Sequence, residues 1–302
     1  MTRVRIGTRG STLALWQANA VAARLSEQGY RPDIHIVKTT GDKRQDVSLA
    51  EIGGKGLFIK ELEEALDRGE IDVAVHSLKD VPSVIPERFV LAGFLERADA
   101  RDAWVDIEKI PLAALPAGSV VGTSSPRRAA QLAMLHPQLT IEPIRGNVDS
   151  RINKVRAGLY AGIVLAAAGL QRLGRESEVT SYFTFDEMLP AAGQGIVTIE
   201  TLASNDAARR AAEAITHEES ALLARAERAV LQKFDDRLDC TSSIAVHATL
   251  VDEVLTMRAY ASDPAGFQAV RVAREGREPQ EVIDGVYADL IAAGAAELLW
   301  RA

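Results

Sequence analysis

The run Asp72-Val73-Ala74-Val75-His76 is apolar at almost every position, then gives way to Ser77-Leu78-Lys79-Asp80-Val81-Pro82. A short β-rich run without polar alternation is the pattern of a strand covered on both faces. Pro82 forbids helical continuation and biases Val81 toward an extended shape. Ser77, Lys79 and Asp80 therefore fall at the carboxyl end of a buried strand, the edge at which open α/β sheets bind ligands. A solvated loop carrying a surface Lys and Asp would leave the same pattern.

Extending this reading along the chain predicts strands at 4–6, 34–37, 72–76 and 89–94. Helices are predicted at 12–28, with Ser11 as N-cap and Gly29 past the end, and at 57–68. Residues 39–56, polar and rich in glycine, read as a long mobile loop. The order then restarts: strand 120–121, Gly122-Thr123-Ser124-Ser125, a helix from Pro126 to about residue 135, strand 140–144, the loop Arg145-Gly146-Asn147, helix 148–157 and strand 163–166. Both halves read strand, Gly-Thr loop, helix, strand, helix, strand. Such repetition predicts two α/β lobes with mainly parallel sheets, each pointing a helix N-terminus at a shared cleft. Residues 188–195 form a Pro/Gly connector into strand 196–199, which returns the chain to the first lobe. Helices at 207–214 and 218–234 follow, then three meander strands at 244–250, 254–261 and 268–273, and a helix at 280–293. The expected division is 1–96 with 196–215, then 101–190, then an α+β domain at 217–302.

Bulk properties narrow the partners. The 302-residue chain carries a formal net charge of −7, which argues against a general nucleic-acid binder. Its longest apolar stretch, 161–170, is too short to span a bilayer. Residues 1–5 show no hydrophobic signal region, so no membrane partner and a cytoplasmic location are expected. The single cysteine excludes an intrachain disulfide and a Cys-based metal cluster, and the five scattered His show no metal-ligand spacing.

Against that acidic background, Arg127, Arg128, Arg145, Arg151, Lys154, Arg156 and Arg172 form a local excess of cations. Arginine forks hold carboxylates and phosphates at two points, and backbone N–H groups at helix starts favour the same anions. Lys154 and Arg156, within and near the end of a helix, read as a solvated face. Arg127, Arg128, Arg145 and Arg151, at loop-to-helix junctions, read as a site for a polyanion, with Thr123, Ser124 and Ser125 adding hydroxyls. Gly53-Gly54-Lys55-Gly56 lacks the Ser or Thr after Lys and the earlier Gly of a nucleotide phosphate loop, leaving a flexible hinge with one cation. Cys240 falls in a polar loop, where a thiolate is a carbon nucleophile, although lone cysteines are usually inert packing.

Taken in order, Gly7-Thr8-Arg9-Gly10-Ser11, Leu13-Ala14-Leu15-Trp16-Gln17, Gly53 to Phe58, His76 to Pro82, Gly122 to Ser125 with Arg127-Arg128, Arg145-Gly146-Asn147-Val148 with Arg151, Leu189-Pro190-Ala191 with Gly193-Gln194-Gly195, and Cys240 resemble the porphobilinogen deaminase (hydroxymethylbilane synthase) family. The resemblance spans nearly the whole chain. It implies an α/β fold with two periplasmic-binding-protein-like lobes around a cleft, plus a small α+β C-terminal domain. It implies a monomeric transferase of tetrapyrrole and heme biosynthesis, with porphobilinogen as substrate. The implied cofactor is a dipyrromethane joined to Cys240 by a thioether, on which four porphobilinogen molecules are condensed with loss of ammonia. Asp80 matches the catalytic carboxylate. Ser77, Lys79, Thr123, Ser124, Ser125, Arg127, Arg128 and Arg151 match cofactor-holding positions. Arg9, Ser11, Gln17, Arg145, Gly146, Arg172 and Gln194 match positions for substrate, and Lys55 and Phe58 belong to the lid and cleft. One departure stands out: Leu238-Asp239 precede Cys240 where the family usually has two glycines, and Ser242-Ser243 replace Val-Pro. A non-catalytic two-lobed binder of a small polycarboxylate is the alternative, and it would need neither Asp80 nor Cys240.

Overall fold

The computed structural model describes residues 2–38, 59–234, 238 and 241–299. The expected lid loop, Lys55, Phe58, Asp239 and Cys240 lie outside the described residues. The chain divides into two compact units, Met1–Ala98 with Gly195–Arg225, and Asp99–Gln194 with Ala226–Ala302.

In the first unit, β1 (Arg3–Thr8), β2 (Arg31–Ile36), β3 (Val73–Ser77), β4 (Phe89–Phe94) and β10 (Val197–Leu202) form one sheet in the order β2-β1-β3-β10-β4. β1 runs parallel to β2 and β3. β10 runs antiparallel to both β3 and β4. Strand alternation sends successive side chains to opposite faces. Val73 and Val75 pack with Ala18, Val21 and Leu25 of α1 (Thr12–Glu27), while Ala74 packs with Leu62, Ala65 and Leu66 of α2 (Lys60–Asp67). Burial on both faces explains why β3 lacks polar alternation. Ser11 caps α1 as expected, its Oγ accepting from the Ala14 N–H at 3.3 Å.

In the second unit, β5 (Asp102–Val105), β6 (Val120–Gly122), β7 (Thr140–Glu142), β8 (Gly162–Ala166) and β9 (Ser181–Tyr182) follow the order β7-β6-β8-β5-β9. β6 is parallel to β7 and β8, and β5 is antiparallel to β8 and β9. The two sheets share one plan: second, first and third parallel strands, then an inserted antiparallel strand, then an edge strand. The expected repetition is present, but the sheets are mixed rather than mainly parallel. In each, the antiparallel strand contributes two of the four ladders. β5 was not foreseen, because a strand of four residues that opens on an aspartate gives little pattern.

The same unit holds a meander, β11 (Ser243–Val251), β12 (Val254–Ser262) and β13 (Ala269–Gly276), backed by α8 (Pro279–Ala292). Asp252 and Glu253 both take positive φ, 49° and 62°, which a two-residue hairpin matched to strand twist requires. Leu189 packs against Ala245 and Tyr260. The fully buried Glu227, in α7 (Glu218–Gln232), accepts from the Gly193 N–H at 2.6 Å and the Ala248 N–H at 2.7 Å, tying the Pro/Gly connector to β11. No described helix is long and apolar enough to cross a membrane.

Gly162 opens β8 where it passes β5. A Cβ there would meet the Trp104 ring and lie 2.7 Å from the Val105 carbonyl oxygen. Gly162→Ala is expected to destabilise the fold by about 1–3 kcal/mol through overpacking, read as a lower midpoint in urea unfolding.

Candidate functional site

In the first unit the expected residues gather at the carboxyl ends of β1 and β3. A 3-10 turn, Leu78–Asp80, follows β3 directly and is anchored by the Leu78 N–H donating to the Ile196 carbonyl at 3.0 Å. Leu78 is buried with Phe94 and Ile196, so this turn is a fixed feature of the core. Asp80 is exposed at its end, and no described residue bonds its carboxylate. Ser77 is half-buried and accepts from Gln17 Nε2 at 2.7 Å, which links β3 to α1. Gln17 is itself buried. Arg9 and Lys79 are half-buried in the segments that follow β1 and β3.

In the second unit Arg127 and Arg128 meet at a residue that sequence reasoning did not single out. Asp102, the first residue of β5, is 0% exposed. Its Oδ2 accepts from Arg127 Nη1 at 2.7 Å, and its Oδ1 accepts from Arg128 Nη2 at 2.7 Å and Nε at 3.0 Å. Gln194 Nε2 adds a bond of 2.9 Å to Oδ1 and another of 2.7 Å to the Ala100 carbonyl. Burial by itself would push the Asp102 carboxyl up; the two guanidinium groups outweigh it and hold the carboxyl below the usual range. Arg127 also donates to the Leu189 carbonyl at 2.7 Å, and Arg128 to the Val164 carbonyl at 3.0 Å. Arg127 Nε is buried and has no partner among the described residues.

The hydroxyls nearby are largely engaged. Ser125 caps α3 (Pro126–Leu135), its Oγ accepting from the Arg128 N–H at 3.4 Å. Ser124 donates to the Ile144 carbonyl at 2.6 Å and accepts from the Ile144 N–H at 3.0 Å. Thr123, buried, accepts from the Ser125 N–H at 3.2 Å. In the next loop, Gly146 takes φ 112° and a Cβ there would sit 2.7 Å from Ser150 Cβ, so only glycine fits. Arg151 Nε donates to the Gly146 carbonyl at 2.8 Å, and Lys154 Nζ to the Arg145 carbonyl at 3.1 Å. Arg156 pairs with Glu178, so it and Lys154 serve the fold. Among the described residues, nothing bonds the half-exposed Arg145 guanidinium. Arg172 ends α5 (Ala167–Arg172), and burial pushes its guanidinium down to about 10.

No group of three or more His, Cys, Asp or Glu able to hold a metal occurs among the described residues. A solved methionine binding protein, MetQ, is 13% identical to this chain, covering 72% of it and 92% of that chain with a TM-score of 0.48. Far closer likenesses lie in sequence. Residues 4–210 match the family described as porphobilinogen deaminase, dipyromethane cofactor binding domain. The porphobilinogen deaminase of Albidiferax ferrireducens is 47% identical over 266 residues, 88% of this chain and 84% of that one. That of Desulfitobacterium hafniense is 42% identical over 303 residues, 99% of this chain and 97% of that one. The chain belongs to the porphobilinogen deaminase family. Every expected porphobilinogen deaminase residue from Arg9 to Gln194 falls inside the matched span, and Cys240 falls beyond it.

Asp102 offers a direct test of this architecture. Asp102→Asn leaves two buried guanidinium groups without a counter-charge and is expected to lower stability by about 3–5 kcal/mol. Because the folded carboxyl lies below its unfolded value, its contribution is complete above about pH 4 and fades as pH falls further. Urea unfolding of wild type and variant should therefore differ most near neutral pH and converge in acid.

Proposed function

We propose that this protein is a hydroxymethylbilane synthase. It condenses four porphobilinogen molecules head to tail, with loss of ammonia at each addition, then releases the linear tetrapyrrole by hydrolysis. The observation that carries this reading is the family match over residues 4–210, which takes in Asp80 and the arginine cluster together.

Cys240 would hold the dipyrromethane through a thioether, and the bound group would supply a nucleophilic ring carbon. Ser77, Lys79, Thr123, Ser124, Ser125, Arg127, Arg128 and Arg151 would hold it. The donor set suits a polycarboxylate: Arg127 and Arg128 together outweigh Asp102 by one positive charge, and Arg127 Nε still has a buried hydrogen to donate. Arg9, Ser11, Gln17, Arg145, Gly146 and Arg172 would receive the acetate and propionate groups of porphobilinogen, while Gln194, buried with its amide N–H groups on Asp102 and the Ala100 carbonyl, would brace the arginine pair instead. Each added ring brings two more carboxylates, which accounts for an arginine excess in an acidic chain. Lys55 and Phe58 would belong to the lid.

Asp80 carries the chemistry. As ammonia departs, positive charge develops on the pyrrole nitrogen, and a carboxylate beside it lowers the energy of that state. The same oxygen atoms can accept and return the proton that the ring must lose. The exposed carboxylate, with no described partner, is available for both tasks, and the turn that carries it is fixed through Leu78. We read the enzyme as a cytoplasmic monomer of three domains, with no nucleic-acid or membrane partner. A non-catalytic polycarboxylate binder is disfavoured, since binding alone has no use for Asp80.

Asp80→Asn is expected to lower kcat by about 10²–10⁴-fold while the unfolding midpoint stays at the wild-type value. Steady-state formation of hydroxymethylbilane measures this, and wild-type turnover in the variant would overturn the assignment.

A further inference from the structure

Four residues before Asp80, β3 carries a buried histidine that the proposed chemistry does not use. We propose that His76 and Glu200 form a positioning pair, holding the end of β3 in register so that the turn bearing Asp80 is correctly placed. The inference rests on the role given to Asp80 above.

The two faces of β3 are secured separately. Ser77 faces α1 and accepts from Gln17 at 2.7 Å. His76 faces the α2 side, where its Nε2 lies 3.0 Å from Glu200 Oε2 on the neighbouring β10. Glu200 is 0% exposed, and its other oxygen has no partner among the described residues. Glu63, on α2, lies in the same environment; burial first, and the charge of Glu200 second, push its carboxyl up, while Arg88 and His76 oppose and Asp67 adds to the rise. Among the described residues, His76 is the side chain hydrogen-bonded to the Glu200 carboxyl, which has no exposed surface. Such a group is costly without its donor.

The pairing is diagonal. In the ladder, His76 stands opposite Thr198, and Glu200 stands opposite Ala74. A slip of one residue would carry His76 to the other face of the sheet, so the bond exists in one register only. Beyond His76 the ladder continues through Ser77 opposite Val197 and closes with the Leu78 N–H on the Ile196 carbonyl. An apolar pair would fill this space at no electrostatic cost but would not specify register so tightly. Displacement of a reacting group by about 1 Å can cost 10²-fold in rate.

The test uses cofactor-loaded enzyme and compares His76→Gln, Glu200→Gln, the His76→Gln/Glu200→Gln double variant and Asp80→Asn. Each single variant of the pair is expected to lose about tenfold or more in kcat, with KM for porphobilinogen and cofactor loading unchanged. The double variant should be no slower than the slower single. Multiplying losses, or a lowered unfolding midpoint with wild-type kcat, would overturn the proposal. His76→Leu/Glu200→Met supplies a background that fills the space without the buried polar pair; reduced kcat there supports the pair, and wild-type kcat overturns it. Wild-type turnover in Asp80→Asn would instead remove the role given to Asp80, and the pair's role with it.

Discussion

A carboxylate buried on an inserted antiparallel strand is the constraint that both sheets obey. In the first unit β10 enters beside β3 and brings Glu200, which meets His76. In the second, β5 enters beside β8 and brings Asp102, which meets Arg127 and Arg128. Neither carboxylate has any exposed surface. A charge so placed must find cationic or hydrogen-bonding partners, and those partners are thereby fixed in position. In both sheets the partners stand near a stretch proposed for chemistry: the turn after β3, and the first turn of α3. Hydrophobic cores supply the bulk of the folding energy, but these bonds decide where particular side chains sit.

Much of the fold was legible from hydrophobic spacing. The strand at 72–76, the capped helix after Ser11, the meander and its Asp252-Glu253 turn all fall where local patterning puts them, because each is a short-range consequence of burial or turn chemistry. The repetition of the two lobes was legible for the same reason. What was not legible is long-range. β5 escaped because its leading Asp102 looks like a loop residue until Arg127 and Arg128, some 25 positions later, are seen to meet it. The antiparallel insertion of β10 depends on the chain returning from far downstream, and no periodicity records that.

The candidate site shows the same division. That Arg127, Arg128, Arg145 and Arg151 stand near loop-to-helix junctions was readable, whereas Lys154, read as part of a solvated face, braces the Arg145 carbonyl much as Arg151 braces that of Gly146. How the four arginines differ from one another was not readable. Arg127 and Arg128 are built into a buried network, Arg151 braces its own loop through the Gly146 carbonyl, and Arg145 remains half-exposed. A cation count gives the net attraction for a polyanion, whereas the geometry decides which of those cations are already compensated.

Everything proposed for this chain depends on a primer joined to Cys240 and extended there. Intact-protein mass under denaturing conditions, for wild type and for Cys240→Ala, tests it most directly. Wild type should exceed its sequence mass by two porphobilinogen units less two ammonia, and Cys240→Ala should show its bare sequence mass. A fully active wild type with no added mass, or the same addition retained in Cys240→Ala, would contradict it.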